Sequence, residues 1–185
     1  MRIFASLLAI FIPTSTILAS NLIGGRPARK GEFPEIVYIS SGGARCTATI
    51  ISDQVILTAG HCVKDQGQID PVEETPIVDF VIEQVVYKAT CKQAPLYRDH
   101  IEDHDMALCK TDKKLTIKPA KIDKKAPKIG QYVILTGYGC VKEGGTGGND
   151  GILRVGKAKV SKLPAGKDHW FYTQDRSALC FGDSG

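Results

Sequence analysis

The sequence predicts an all-β fold, arranged as an antiparallel sandwich or barrel. Short runs rich in β-branched residues recur along the chain, and turns rich in Gly, Ser and Asp separate them. After the first twenty residues, no amphipathic helix longer than about two turns can be drawn. Short strands at this spacing are typical of antiparallel sheets, whereas α/β folds alternate strands with helices.

The first twenty residues are distinct from this β pattern. Arg2 provides a positive charge, residues 3–18 are uncharged and mostly apolar, and Ala19-Ser20 offers small residues for cleavage. This arrangement is typical of a secretory signal peptide and is short for a membrane-spanning helix, although an uncleaved anchor stays open as the alternative. We therefore predict that residues 1–20 are a signal peptide and that the protein is secreted, without membrane contact once the signal is removed.

The remaining chain reads as two groups of strands joined by a basic connector. Residues 110–128 contain eight lysines but only Asp112 and Asp123 as acids. A lysine run without aromatic residues favours a solvated connector over a cationic binding site. The glycine-rich segment 144–151 lacks the Lys-Ser/Thr ending of a phosphate-binding loop, so nucleotide binding is not predicted. The candidate strands are 36–39, 47–51, 55–58, 77–86, 106–109, 132–136 and 152–160.

Composition and cysteine content narrow the class of protein. With 43% hydrophobic and 24% charged residues the chain has the balance of a soluble globular protein, and its net charge of +4 is too mild for a nucleic-acid binder. Six cysteines in an exported chain predict disulfides. There is no CxxC pair, and the four histidines show no ligand-like spacing to the cysteines, so we predict no metal and no cofactor.

Three short segments carry residues suited to nucleophilic catalysis. A β run ends in the string Thr-Ala-Gly-His-Cys, which presents His61, and Asp105 enters the apolar run that follows it. The last segment places Ser184 in Gly-Asp-Ser-Gly. Each segment alone has a structural explanation, because such residues are common in turns and loops. In the order His, Asp, Ser they match one of the known orders of a catalytic triad.

The two strings closely resemble those of the trypsin/chymotrypsin family of serine proteases. Leu22-Ile23-Gly24-Gly25 is also similar to the family's mature amino terminus, and Cys46 and Cys62 are spaced like its disulfide around the catalytic histidine. The resemblance extends from residue 22 to the end of the chain. It implies two six-stranded antiparallel β-barrels with the active site between them.

The resemblance assigns the catalytic roles to individual residues. His61 would act as base, Asp105 would hold its tautomer, and Ser184 would be the nucleophile of an acyl-enzyme mechanism. The N–H groups of Gly182 and Ser184 would form the oxyanion hole. Asp99 and Asp103 compete with Asp105, but only Asp105 precedes an apolar run. The neighbouring histidines, His100 and His104, are expected to face solvent.

Activation and specificity are further implications of the resemblance. A freed α-amino group at Leu22 would pair with Asp183, and because Asn21 is not basic, trimming would need signal peptidase with minor processing or a non-tryptic enzyme. Ala178 would lie at the base of the specificity pocket. Its uncharged side chain argues against a strict preference for basic residues and favours small or apolar ones.

The predicted domain organisation follows from these assignments. Residues 22–185 would form one protease domain, with residues 22–115 as the first barrel and residues 116–185 as connector and part of the second. Family members continue beyond the serine motif, so we expect the second barrel to be incomplete in this chain.

The remaining cysteines leave alternatives open. Cys91 and Cys109 flank two strands that are expected to be adjacent, so they are predicted to pair. Cys140 and Cys180 have no assured partners and could bond to each other.

The predicted function is that of a secreted, monomeric serine endopeptidase. Its partners would be polypeptide substrates, with protein inhibitors as a further class and no nucleic acid. A non-catalytic homologue that works as a binding module stays open, as does a fragment that is not active alone. The first alternative is disfavoured because such homologues usually lose a triad residue, and all are present here.

Overall fold

The computed structural model describes residues 22–41, 43–63, 77–97, 104–142, 145–148, 150–165 and 170–185. The predicted signal peptide lies outside these residues. Within them, no helix is long and apolar enough to cross a membrane. The strands in chain order are β1 (Arg26–Pro27), β2 (Ile36–Ser41), β3 (Ala44–Ile50), β4 (Val55–Thr58), β5 (Ile77–Ile82), β6 (Val85–Gln93), β7 (Ala107–Thr111), β8 (Tyr132–Gly137), β9 (Cys140–Lys142), β10 (Thr146–Gly148), β11 (Arg154–Lys162) and β12 (Tyr172–Gln174).

Six strands close into an antiparallel barrel in the order β2-β3-β4-β7-β6-β5, and β5 returns to pair with β2. Strands β5 to β7 alternate between buried and exposed positions, as expected when one face of a pleated sheet packs inside. Val78, Phe80 and Ile56 are among the side chains that fill the barrel. The all-β prediction is confirmed, and the strands of this barrel lie between Ile36 and Thr111.

The second group of strands forms an open sheet centred on β11. Strand β8 pairs along one edge of β11, while β1 and β12 pair with different parts of the other edge. Strands β9 and β10 form a separate hairpin. The buried side chains of Ala158 and Val160 lie on one face of β11, where they contribute to the interior of this second unit. Apart from β1, the strands of this sheet follow the lysine-rich segment in the chain.

Strand β1 is tied to the loop that follows it by an ion pair. Arg26 Nη1 and Nη2 donate to the two carboxylate oxygens of Glu32 at 2.8 and 2.6 Å, and the Arg29 N–H donates to Glu32 Oε2 at 2.8 Å. The hydrogen bond from Arg26 is the main reason that the pKa of Glu32 is lowered from 4.5 to about 2.

We predict that the Glu32 carboxyl titrates near its lowered pKa of about 2 in a carboxyl NMR titration. Because the folded-state pKa is depressed, the stability contributed by this carboxylate is present above the ordinary value of 4.5 and is lost as the pH falls towards about 2. Replacing Arg26 by Gln should move the Glu32 midpoint upward, since its main partner is removed. An unchanged midpoint in Arg26→Gln would contradict this explanation.

Candidate active site

His61 lies on a single turn of 3₁₀ helix, Gly60–Val63, directly after β4. A disulfide between Cys46 and Cys62 ties this turn to β3, with an S–S distance of 2.05 Å. The side-chain amide of Gln93 donates to the Gly60 carbonyl at 2.8 Å and fixes the turn from the opposite side. The histidine backbone is therefore held in place, while its side chain remains 49% exposed.

Both carboxylate oxygens of Asp105 bind His61. Oδ1 accepts the backbone N–H of His61 at 2.8 Å, and Oδ2 lies 2.6 Å from the ring nitrogen Nδ1. A Cβ atom at Gly60 would lie only 3.0 Å from Oδ1, so the glycine allows the carboxylate to approach. With Nδ1 engaged, Nε2 is the ring nitrogen left to face a substrate or a hydroxyl group.

A cavity of about 280 Å³ brings the three predicted catalytic residues together. His61, Asp105 and Ser184 all line it, although they come from three separate parts of the chain. Trp170 and Met106 add apolar surface to the same cavity. A concave site with a few convergent polar groups is the usual form of an active site.

The loop Cys180–Ser184, here named the nucleophile loop, is pinned to β9. The Cys140 N–H donates to the Phe181 carbonyl at 2.8 Å, which orients the peptide unit between Phe181 and Gly182. The N–H of Gly182 belongs to the same planar trans unit and therefore points away from β9. Gly182 has φ of +95°, a conformation that side chains rarely allow.

Asp183 lies in the interior, only 4% exposed, and its carboxylate binds the start of the nucleophile loop and the residue before β9. Oδ1 accepts the Gly139 N–H at 2.7 Å and Oδ2 accepts the Cys180 N–H at 2.9 Å. A Cβ atom on Gly137 or Gly139 would collide with this carboxylate. Burial raises the pKa of Asp183, because desolvation disfavours the charged form more than the two N–H groups favour it.

The segment that begins at Leu22 lies beside the nucleophile loop. Leu22 is fully buried, and Ile23 forms an isolated antiparallel bridge with Ala178. In this chain Leu22 is joined to Asn21 by a peptide bond, so the amine of the predicted ion pair with Asp183 does not exist in this form. The pairing stays a prediction for a chain trimmed before Leu22.

Two further disulfides have the pairings considered above. Cys91 and Cys109 are bonded between directly opposed positions of β6 and β7. Cys140 and Cys180 are bonded to each other, which links β9 to the start of the nucleophile loop. Among the described residues, the one cluster of potential metal ligands includes Cys46, His61 and Cys62, but the disulfide leaves those sulfurs without a thiolate.

A second cavity, of about 470 Å³, also has Ser184 in its lining. Leu179, Phe181 and Ile23 line it, and Asp183 is the ionisable side chain in its lining. Ala178 is exposed and hydrogen-bonded to Ile23 through its N–H, while its neighbour Leu179 faces the cavity. Ala178, predicted to lie at the base of the specificity pocket, is not among the described residues that line this cavity.

Sequence reasoning missed several residues at the site. Thr47 on β3 contacts the nucleophile loop, Gly139 contacts Asp183, and Trp170 lines the cavity of His61. A buried threonine within a β-branched run carries no local signal of such contacts, whereas a glycine pair around Tyr138 could have indicated a close approach. Of the two histidines expected to face solvent, His104 is exposed. Asp99, His100 and Asp103 lie outside the described residues.

Comparison with known families gives a match that includes all of the described residues. A family model described as Trypsin matches residues 22–185. A trypsin-like protease of Streptomyces glaucescens is 28% identical over 169 residues, which cover 88% of this chain and 60% of that protein. Serine protease 1 of Canis lupus familiaris is 25% identical over 162 residues, covering 85% of this chain and 65% of that protein.

A solved structure supports the fold. Neuropsin, described as a serine protease expressed in the limbic system of mouse brain, superposes with a TM-score of 0.68 at 20% identity, covering 87% of this chain and 79% of that chain. At this identity the likeness concerns the fold alone. The chain spans about 60% and 65% of the lengths of the two curated relatives.

Proposed function

The chain belongs to the trypsin family of serine proteases, and from this premise we propose that it is a secreted serine endopeptidase with His61, Asp105 and Ser184 as its triad. The observation that carries the proposal is the pair of bonds from Asp105 to His61 beside a cavity that also contains Ser184. Residues 1–20 are its signal peptide and residues 22–185 its protease domain, divided near residue 115 into a barrel and part of a second. We propose a monomer that acts on polypeptides and is a target for protein inhibitors.

The triad residues have distinct roles in the acylation step. His61 Nε2 takes the proton of Ser184 Oγ as that oxygen bonds to the carbonyl carbon of the scissile peptide. Asp105 keeps the proton of His61 on Nδ1 and stabilises the imidazolium that forms. The imidazolium then gives its proton to the leaving amine as the C–N bond breaks. Water attacks the acyl-enzyme with His61 again as base, and Ser184 is regenerated.

The oxyanion is the charge that the site has to stabilise. The N–H groups of Gly182 and Ser184 are the proposed donors, and the bond from Cys140 to Phe181 fixes the orientation of the first. Removing one such donor typically costs about 3 kcal/mol of transition-state stabilisation. The reaction therefore requires an ordered nucleophile loop in addition to the triad.

Substrate preference follows from the cavity beside Ser184. Its side chains are apolar at Leu179, Phe181 and Ile23. The carboxylate in its lining, Asp183, already accepts the N–H groups of Gly139 and Cys180, which disfavours it as a partner for a lysine or arginine side chain. We propose that small or apolar side chains occupy this cavity, with Ala178 and Leu179 as the residues that exclude a strict basic preference.

Covalent labelling by a fluorophosphonate tests the proposed function. A chain that begins at Leu22 should form an adduct at Ser184, detected by mass spectrometry of the labelled peptide, and Ser184→Ala should abolish it. Ser40→Ala removes an exposed serine on β2 and serves as the control that should label normally. Absence of label on a folded parent chain would favour the non-catalytic homologue or the inactive fragment.

A further inference from the structure

We infer that Thr47 is a positioning residue that holds both sides of the nucleophile loop against the first barrel; this inference rests on the proposed function. Thr47 is 1% exposed and lies on β3 immediately after Cys46. Buried polar side chains are expected to have hydrogen-bond partners, and those of Thr47 identify what it does.

The side chain of Thr47 fixes the peptide unit that follows Gly182. Its hydroxyl donates to the Gly182 carbonyl at 2.9 Å and accepts the Tyr138 N–H at 3.2 Å. Gly182 has a positive φ and no side chain of its own, so its backbone has more rotational freedom than any other residue would have. The hydroxyl supplies the restraint that glycine lacks.

The backbone of Thr47 fixes the other side of the loop. Its N–H donates to the Ser184 carbonyl at 2.9 Å, and its own carbonyl accepts the Thr58 hydroxyl at 2.8 Å. A Cβ atom at Gly185 would collide with the Thr47 carbonyl, so the chain after the serine passes directly over β3. Thr47 thus contacts the carbonyls of Gly182 and Ser184, the two residues proposed to form the oxyanion hole.

This position connects the two halves of the catalytic machinery. The residue before Thr47 is Cys46, whose disulfide to Cys62 holds the turn that carries His61. Two neighbouring residues of β3 therefore position both parts of the site. Cys46 holds the turn that carries the proposed base, and Thr47 holds the loop that carries the proposed nucleophile and oxyanion donors. Valine would match threonine in shape but would leave the Gly182 carbonyl and the Tyr138 N–H without their partner.

The expected effect is on the transition state rather than on substrate binding. Because a misplacement of about 1 Å in a reacting group can cost about 100-fold in rate, Thr47→Val should lower kcat by about 10- to 100-fold and change KM by less than about threefold. Thr47→Ser restores the hydroxyl and should return kcat to within about threefold of the parent.

Thr111→Val provides the matched control for a merely structural role. Thr111 is also a buried threonine, and its hydroxyl donates to the Lys113 carbonyl at 2.8 Å on β7, away from the nucleophile loop. Both valine variants should lower the thermal midpoint, but only Thr47→Val should lower kcat and the rate of fluorophosphonate labelling. If Thr47→Val does not fold, Thr47→Ala against Thr47→Ser makes the same comparison.

The outcomes separate this inference from the proposed function. Two results would overturn the role of Thr47 and leave the proposed function intact. In the first, the parent labels normally and Thr47→Val has an unchanged kcat; in the second, Thr47→Ser is as slow as Thr47→Val. A folded parent that does not react at Ser184 would overturn the proposed function and this inference with it.

Discussion

Replacing His61 by alanine, Ser184 by alanine, or both together should slow peptide hydrolysis by a similar factor of about 10⁶. The three losses should be similar because neither group works without the other: the hydroxyl needs a base, and the base has no other nucleophile to activate. In the structure, Asp105 occupies Nδ1 of His61 and leaves Nε2 for the cavity that Ser184 shares.

The measurement is kcat for a chromogenic peptide with a small apolar residue before the scissile bond. The residual rate in all three variants should still exceed that of water by about 10³ to 10⁴, because the oxyanion donors and substrate binding remain. A double variant that lost far more than either single variant would mean that the two side chains act independently. In that case they would not form one catalytic unit.

The fold class could be predicted from the sequence because a barrel of short strands leaves a local record. That record is the series of short β-branched runs between turns. The alternation of buried and exposed positions in β5 and β7 is not visible in the residue types, because Ile77, Val81 and Leu108 are apolar but exposed. The run 77–86 nevertheless contains two strands instead of one. Its turn at Glu83-Gln84 has positive φ at both residues, without the Asn-Gly or Asp-Gly that usually marks such a hairpin.

The candidate triad could be proposed from the sequence because its residues lie in short, distinctive strings. The support around them could not, since it depends on contacts between distant parts of the chain. Thr47 and Gly182 are separated by 135 positions, and Gly139 and Asp183 by 44. The bond between Cys140 and Cys180 was one of several open pairings, because sequence alone does not determine connectivity.

Replacing Asp183 by asparagine should lower kcat by about 10²- to 10³-fold, the range expected when an oxyanion donor is lost. The single oxygen of an amide can accept the N–H of either Gly139 or Cys180. Its NH₂ group must then face the other N–H, where it finds no acceptor. The loop that positions Gly182 and Ser184 would lose one of its restraints. Asp175→Asn, at an exposed carboxylate that accepts the N–H of Arg176, should leave kcat unchanged.

The same carboxylate should make the effect of trimming depend on pH. While Leu22 remains joined to Asn21, burial raises the pKa of Asp183 above its ordinary value of 3.8. Ionisation therefore costs stability increasingly as the pH rises from 3.8 towards the raised value, and the cost is constant above it. A free amine at Leu22 would pair with the carboxylate and lower its pKa again, which removes the cost. The thermal midpoint of the trimmed chain, measured from about pH 3 to about pH 8, should therefore rise above that of the untrimmed chain as the pH increases. The difference should vanish in Asp183→Asn, which has no charge to pair. If the thermal midpoints of the trimmed and untrimmed chains still differed in Asp183→Asn, trimming would act through another contact. The proposed ion pair of Leu22 with Asp183 would then be wrong.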